Sequence, residues 1–316
     1  MAENLGGFAA LRLSVPREAS GSRLDRFLAV ALEVTRTELQ RWIAAGRVTV
    51  NGVVKGASAR VREGESVSVR PMERAASEAR AEEGVAFDVL YVDDDVVVVN
   101  KPPGLVVHPA KGHEGGTLVN GLLARGYFRR EDLEDQHERP GIVHRLDKGT
   151  SGIMVVARTA EAREKLKAQF QAHTIERAYV AIVVGEARDA TFDTQHGRHP
   201  KDRMRFTTRV KSGKRAVTRV RVLARLQGAT HVECTLETGR THQIRVHLAE
   251  SGNPVLGDPV YGRAPRDAHV RAVGERLGHQ ALHARVLGFV HPTTGKRVRF
   301  EVEPPVDFAE ALQGLA

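Results

Sequence analysis

The 316-residue chain has one cysteine, Cys234, so it can form no internal disulfide, and a reducing compartment such as the cytoplasm is the expectation. Phe, Trp and Tyr together make up only 5% of the residues, too few for an extended platform on which nucleobases would stack. No apolar run approaches the length of a membrane span, and the N-terminus has no charged-then-apolar leader. No basic amphipathic helix stands out to hold the chain on a membrane surface. His242 and His247 lie five apart on different helical faces with no Cys or Glu pair beside them, so no metal site is expected. Cys234 falls in the strand-like Thr230–Leu236 and reads as packing.

Positive charge is plentiful. Lys and Arg number 48 against 39 acidic residues, for a net charge of +9, a pI near 10.0 and a mean hydropathy of -0.31. This balance suits a polyanionic partner, nucleic acid first, and Arg provides planar, forked phosphate recognition. A GC-rich genome would also enrich Arg.

The length suggests two domains. Residues 1–17 read as irregular. A helix is expected from Ser22, its N-cap, through Leu32, with Leu24, Phe27, Leu28 and Ala31 on one face. A second fits Thr35 to Ala45, with Leu39, Trp42 and Ile43 inward and Gly46 closing it. Val48–Val54 reads as a hairpin turned by Asn51-Gly52, and Ser66–Arg70 as a further strand. Arg23, Arg26, Arg36, Arg41 and Arg47 are the cations this module would expose. Residues 72–84, rich in Ala and charge, read as a linker or a short solvated helix. The expected layout is therefore a leading segment 1–20, a small domain 21–71, a linker 72–84 and a large domain 85–316.

In the large domain, strands are expected at Phe87–Val92, Val96–Val99, Ile153–Ala157, Ala178–Val184, Arg215–Leu226, Thr230–Glu237 and Arg297–Val302. Helices fit Thr117–Ala124 and Glu161–His173. Many strands with interspersed helices make this an α+β protein with a mainly antiparallel mixed sheet.

The segment Gly141-Ile142-Val143-His144-Arg145-Leu146-Asp147-Lys148-Gly149-Thr150-Ser151-Gly152 places one carboxylate just before a buried strand. Asp147 can cap the turn that follows it, as Asp often does, or stand at the rim of a cleft as a nucleophile or base. Tyr179 enters a strand, where it either packs or moves a proton. In Thr238–Leu248, Thr241 is the expected N-cap of a helix from His242. Ile244, Val246 and Leu248 cannot share one face, so a tight or partly exposed first turn is expected, with Arg245 pointing to the cleft. An Arg opposite Asp147 would keep that carboxylate ionised and oriented, or simply form a structural ion pair. Asp258–Gly262 and Gln280–Ala284 read as scaffold.

Residues 21–70, from Arg23-Leu24-Asp25 through Val48-Thr49-Val50-Asn51-Gly52, resemble the small RNA-binding module shared by a ribosomal small-subunit protein (S4) and tyrosyl-tRNA synthetases. His144–Asp147 with Thr150-Ser151-Gly152, Glu176-Arg177 with Tyr179, Thr238–His247, Gly257–Gly262, Asn100-Lys101-Pro102 and Gln280–Ala284 together resemble the large-subunit ribosomal RNA pseudouridine synthase family, over residues 20 to 305. Gly149 departs from the family pattern, which often has an acid there, as does Glu250–Asn253; both departures are read as bearing on RNA fit. The resemblance implies isomerisation of uridine without cofactor or metal, by a monomer acting on structured RNA such as 23S ribosomal RNA or a precursor particle. It implies Asp147 as nucleophile, Tyr179 stacked on the flipped base and Arg245 paired with Asp147. Arg145 would fill the gap left in the RNA helix, with Arg23, Arg36, Arg41 and Arg47 on phosphates. A non-catalytic RNA-binding factor and a base-releasing glycosylase are the competing readings.

Overall fold

The computed structural model describes residues 10–34, 36–72, 79–109, 113–128, 140–202 and 204–316. The chain divides into two units, Met1–Ala75 and Ala76–Ala316.

In the first unit a four-stranded sheet, ordered β1-β4-β2-β3, carries two helices. Its elements are β1 (Leu11–Ser14), α1 (Leu24–Leu32), α2 (Arg36–Ala44), β2 (Val48–Val50), β3 (Val53–Val54) and β4 (Ser66–Val69). Leu24, Leu28, Leu39, Trp42 and Ile43 pack on Val48, Val50, Val67 and Val69, so the helical faces meet the inward alternation of the strands. Asn51 and Gly52 both take positive φ (49° and 80°), which joins β2 to β3 by the two-residue turn the Asn-Gly pair favours.

Three expectations change here. Residues 11–14, expected to be irregular, form β1, an antiparallel partner of β4. Ser22 does not cap α1: its hydroxyl donates to the Ala19 carbonyl, and Arg23 holds the cap position. Ala31 is exposed. Residues 73–78 of the expected linker lie outside the described residues. From Ala79 onward the chain packs back on the second unit, with the Asn120 amide donating to the Arg80 carbonyl (2.6 Å).

The second unit is built on a ten-stranded sheet. Its strands are β5 (Asp88–Val92), β6 (Val96–Lys101), β7 (Ser151–Ala157), β8 (Glu176–Val184), β9 (Ala190–Arg198), β10 (Phe206–Thr207), β11 (Lys214–Leu226), β12 (Ala229–Leu236), β13 (Leu282–Val290) and β14 (Arg297–Glu301). The order is β10-β9-β11-β12-β8-β13-β7-β6-β5, with β14 on β13; only β13 and β7 run parallel. Among the described residues its helices are α3 (Leu118–Ala124), α4 (Ala160–Gln171), α5 (Gln243–Glu250), α6 (Ala268–Leu277) and α7 (Val306–Gly314).

Val96–Val99 of β6 and Ile153–Ala157 of β7 are continuous apolar runs because both faces of the sheet are covered there. Val97, Val99, Met154 and Val156 join the core beneath α3, while Val96, Val98, Ile153 and Val155 join Leu166 of α4 on the other face. The period of two thus divides each strand between two cores. β9 and β13, and helices α6 and α7, are absent from the sequence-based expectations. Gly152 is needed where β7 meets β13: φ is 116°, and a Cβ there would lie 2.2 Å from the Ala284 carbonyl oxygen.

Candidate active site

The parallel pairing of β7 with β13 sets the position of Asp147. Gly152 is opposite Ala284, and Ala284 on its other side is opposite Tyr179 of β8. The start of β7 and Tyr179 therefore lie at one level of the sheet, roughly two strand spacings (~10 Å) apart. Asp147 precedes β7 in a turn closed by the Thr150 N–H on the Asp147 carbonyl (3.0 Å). The bond that closes this turn is made by the backbone carbonyl and not by the side-chain cap that an Asp can provide, and the Asp147 carboxylate bonds elsewhere.

That carboxylate meets Arg245, which comes from the buried helix α5. Arg245 Nη1 donates to Asp147 Oδ2 (2.8 Å), while Nε and Nη2 donate to the two oxygens of Asp258 (2.7 and 2.8 Å). Asp258 also accepts the N–H groups of Val260 and Tyr261 (2.8 and 3.0 Å). Side-chain exposure rises along this chain from 0% at Asp258 through 4% at Arg245 to 18% at Asp147. Burial alone would lower the pKa of Arg245, but the two carboxylates outweigh it and raise it. For Asp258 burial works to raise the pKa, and the Arg245 hydrogen bonds overcome it, so it stays ionised. Asp258, read as scaffold from the sequence, is the second anion of the site; in sequence it stands far from Asp147.

α5 departs from expectation at its start. Thr241 is not the cap: His242 holds that position in the left-handed region (φ 58°), without a side-chain cap. The first turn is buried, not exposed, because its polar side chains are satisfied inside. Gln243 donates to the Val217 carbonyl and the Thr218 hydroxyl (3.0 and 2.9 Å) and accepts from the Thr238 hydroxyl and the Arg240 N–H (2.7 and 3.0 Å). His247 bonds Thr218 and Thr194 (both 2.9 Å). These bonds to β9, β11 and the turn before the helix let its polar face, with Gln243 and His247, be buried, and they fix Arg245 toward Asp147.

Asp147, Tyr179, His242 and Arg245 line one open cleft of about 60 Å³, with Arg145 at its mouth and Leu146, Leu236, Ile244 and Leu282 as apolar wall. Tyr179 is 9% exposed, and burial raises the pKa of its hydroxyl against the pull of Arg177, with Asp147 adding to the rise. Arg145 is exposed. His144 points away from the cleft; it stacks on Phe170 (4.7 Å) and accepts the Val155 N–H (3.1 Å).

Lys101 is a further residue that sequence reasoning missed. It is fully buried, and its ammonium donates to the carbonyls of Pro102, Leu105 and Lys148 (2.8, 2.9 and 3.2 Å), tying the turn after β6 to the residue next to Asp147. Burial pushes its pKa down to about 7, against the pull of Asp147. The signal was the break of an apolar strand by Asn100-Lys101-Pro102. Gln280, also read as scaffold, donates to the Thr150 hydroxyl (3.1 Å). A Cβ at Gly149 would lie 2.2 Å from its side-chain oxygen, so an acid at this position would displace Gln280. Glu250 accepts from the hydroxyls of Thr207 and Thr208 and the Thr208 N–H, which anchors β10 to α5.

The remaining predicted residues lie in the first unit. Arg23 is not a free cation: it forks onto the buried Asp25 (3.0 and 3.0 Å), which also accepts from Gln40. Arg41 and Arg47 are exposed. The side chain of Arg36 lies outside the described residues. Asp93, Asp95 and His291 are close enough to share a cation. Asp93 and His291 are already committed to other bonds, for Asp93 accepts from Tyr91, the N–H groups of Asp95 and Val96, and His291 (2.6, 2.9, 2.9 and 2.8 Å). Cys234 is buried, its thiol pushed up to about 12 by burial.

On the mainly antiparallel sheet of the second unit, a cleft carboxylate held by a buried arginine is an arrangement suited to a nucleophile or general base, which is the class of an enzyme. Residues 95–250 match the RNA pseudouridylate synthase family, and residues 22–67 match the S4 domain. The chain belongs to the RNA pseudouridylate synthase family and is an isomerase of that class. It is 45% identical over 308 residues to an uncharacterized RNA pseudouridine synthase (YlyB) of Bacillus subtilis, covering 96% of this chain and 97% of the relative. It is 46% identical over 310 residues to the ribosomal large subunit pseudouridine synthase D of Neisseria meningitidis serogroup A, covering 96% and 81%. Among solved structures, human RNA pseudouridylate synthase domain containing 4 matches with a TM-score of 0.56 and 26% identity, over 72% of this chain and 92% of that one. No helix among the described residues is long and apolar enough to cross a membrane.

Proposed function

We propose that this enzyme isomerises uridines of large-subunit ribosomal RNA, with Asp147 as the nucleophile on a nucleotide drawn out of the RNA stack. The observation that carries the reading is the Asp147–Arg245 contact. One side of the carboxylate is fixed at 2.8 Å by a buried guanidinium, and the other faces the open cleft. RNA binding alone has no use for an anion so placed. Asp147 bonds to the sugar or the base as the bond from ring nitrogen to sugar breaks; the uracil turns and rejoins the sugar through carbon 5. Asp147 leaves as a carboxylate, carbon 5 loses its proton and the ring nitrogen gains one, so the product is an isomer and the atoms balance without a cofactor. The Tyr179 ring forms a wall against which the extracted base stacks. Arg145, exposed at the cleft mouth, fills the vacated place in the RNA. The large-subunit target is supported by the name of the Neisseria relative, and contacts to RNA phosphates by the exposed Arg41 and Arg47 of the S4 unit.

Asp147→Ala is the test. It should retain RNA binding and form no pseudouridine in large-subunit RNA. Normal modification by the alanine protein would refute the nucleophile assignment, and released uracil from the wild type would indicate a glycosylase instead.

A further inference from the structure

Beside Asp147, the cleft holds an imidazole whose tautomer follows from hydrogen-bond accounting. Tyr261 is 4% exposed. Its phenol oxygen accepts the Phe206 N–H (2.9 Å) and lies 2.9 Å from His242 Nδ1. A phenol carries one proton and neutral imidazole one N–H. If Nδ1 held the imidazole proton, the Tyr261 oxygen would accept twice and its own buried O–H would have no acceptor among the described residues. An unmade buried donor is costly. The consistent arrangement has the Tyr261 O–H donating to Nδ1, which places the imidazole proton on Nε2.

Nε2 faces the cleft, 3.7 Å from Asp147 Oδ1. That separation is too long for a hydrogen bond, so the N–H is not taken up by the carboxylate beside it. The ring is held edge-on by Phe206 and Tyr261 (centroids 5.7 and 5.6 Å apart, interplanar 77° and 79°). Its backbone is kept in the left-handed region (φ 58°), a conformation that persists where the surroundings impose it. Burial, first, and then Arg245 and Arg145 outweigh Asp147 and Asp258 and lower the pKa of His242, consistent with a neutral ring.

We propose that His242 is a substrate-contacting catalytic residue, and that its Nε2–H, fixed by Tyr261, donates to an acceptor oxygen of the nucleotide held against Asp147. The inference rests on the reading of this cleft as the seat of the uridine. It gives the cleft a neutral donor next to its nucleophile, distinct from Arg245, which is spent on two carboxylates. A neutral donor can hold a uracil or ribose oxygen without competing for the charge of Asp147.

Nitrogen-15 NMR of the imidazoles in the full chain tests the tautomer. His242, assigned by its loss in His242→Asn, should show the Nε2–H form, and Tyr261→Phe should remove that preference. Turnover tests the contact. Asn tolerates positive φ and its amide reaches the Nδ1 position facing Tyr261, without the cleft donor; the longer Gln amide reaches the Nε2 position. His242→Asn should fold and bind RNA yet lose at least about tenfold in kcat, while His242→Gln stays within about threefold of wild type. An Nδ1–H ring, or a His242→Asn protein with wild-type kcat, would overturn the proposal. A wild-type protein that made no pseudouridine would instead refute the functional reading, with the NMR result still standing on the geometry.

Discussion

Arg245 binds two carboxylates, and the structure predicts that removing each has an opposite consequence. Asp258→Ala takes two acceptors from a guanidinium that is 4% exposed and leaves the N–H groups of Val260 and Tyr261 without theirs. Breaking a buried ion pair from one side costs about 3–5 kcal/mol, because the remaining charge has nowhere to go. For a unit of this size each kcal/mol moves the melting temperature by about 2–4 °C, so a fall of about 6–20 °C is expected. Asp147→Ala removes only the Nη1 contact, and Arg245 keeps both bonds to Asp258. Asp147 is also in touch with solvent at 18% exposure, so the stability loss should stay below about 1.5 kcal/mol. Activity should follow the reverse order, absent in Asp147→Ala and reduced but measurable in Asp258→Ala. Calorimetry on both variants, with pseudouridine formation measured at a temperature where both are folded, checks this. An Asp258→Ala protein within about 1 kcal/mol of wild type, or one more stable than Asp147→Ala, would refute the division of roles.

The remaining predictions concern other parts of the second unit. Asp93 has its pKa held down at about 2: burial opposes this, but hydrogen bonds from Tyr91, Val96, Asp95 and His291 prevail. Its folded pKa lies below the unfolded value, so its stabilisation is complete above about pH 4 and lost as the pH falls through about 2. Asp93→Asn should therefore flatten the acid limb by about 1–2 kcal/mol, discounted for partial exposure, and an unchanged acid midpoint would contradict the assignment. Arg145→Ala should leave stability within about 0.5 kcal/mol of wild type and slow turnover on structured RNA; unchanged turnover would reject its intercalating role. Gly152→Ala would drive a Cβ to 2.2 Å from the Ala284 carbonyl at a positive φ, and a loss above about 3 kcal/mol in urea unfolding is expected.

How much of this was legible depended on whether the signal was local. The apolar runs Val96–Val99 and Ile153–Ala157, the Asn51-Gly52 hairpin and the inward Leu39, Trp42 and Ile43 are short-range patterns, and the structure follows them. β9 escaped because its residues alternate between half-buried and exposed, so Thr191, Asp193 and Gln195 dilute the apolar signal. β13 escaped because His283 and Arg285 interrupt it; His283 is buried only because Ser151 and the Val302 carbonyl satisfy its ring. α6 left a readable trace, an Asp267 cap on the His269 and Val270 N–H groups and Gly278 at φ 71° after its last turn.

The site was legible in its ends and not in its middle. Asp147 stands out as a carboxylate just before an apolar strand and Arg245 as a cation between Ile244 and Val246, but what joins them is register and burial. Whether β7 runs parallel or antiparallel to β13 decides whether Tyr179 shares a level with Asp147, and no residue type announces that choice. Asp258 looks like a loop residue because its partner is on another element. In the proposed reading, the graded exposure along Asp258, Arg245 and Asp147 is what separates support from chemistry. A guanidinium satisfied at its buried edge cannot swing away, so it presents one fixed donor to the outer carboxylate. Were both carboxylates equally buried, neither could reach a nucleotide. Were both equally exposed, Arg245 would lose the buried anchor that holds it in place.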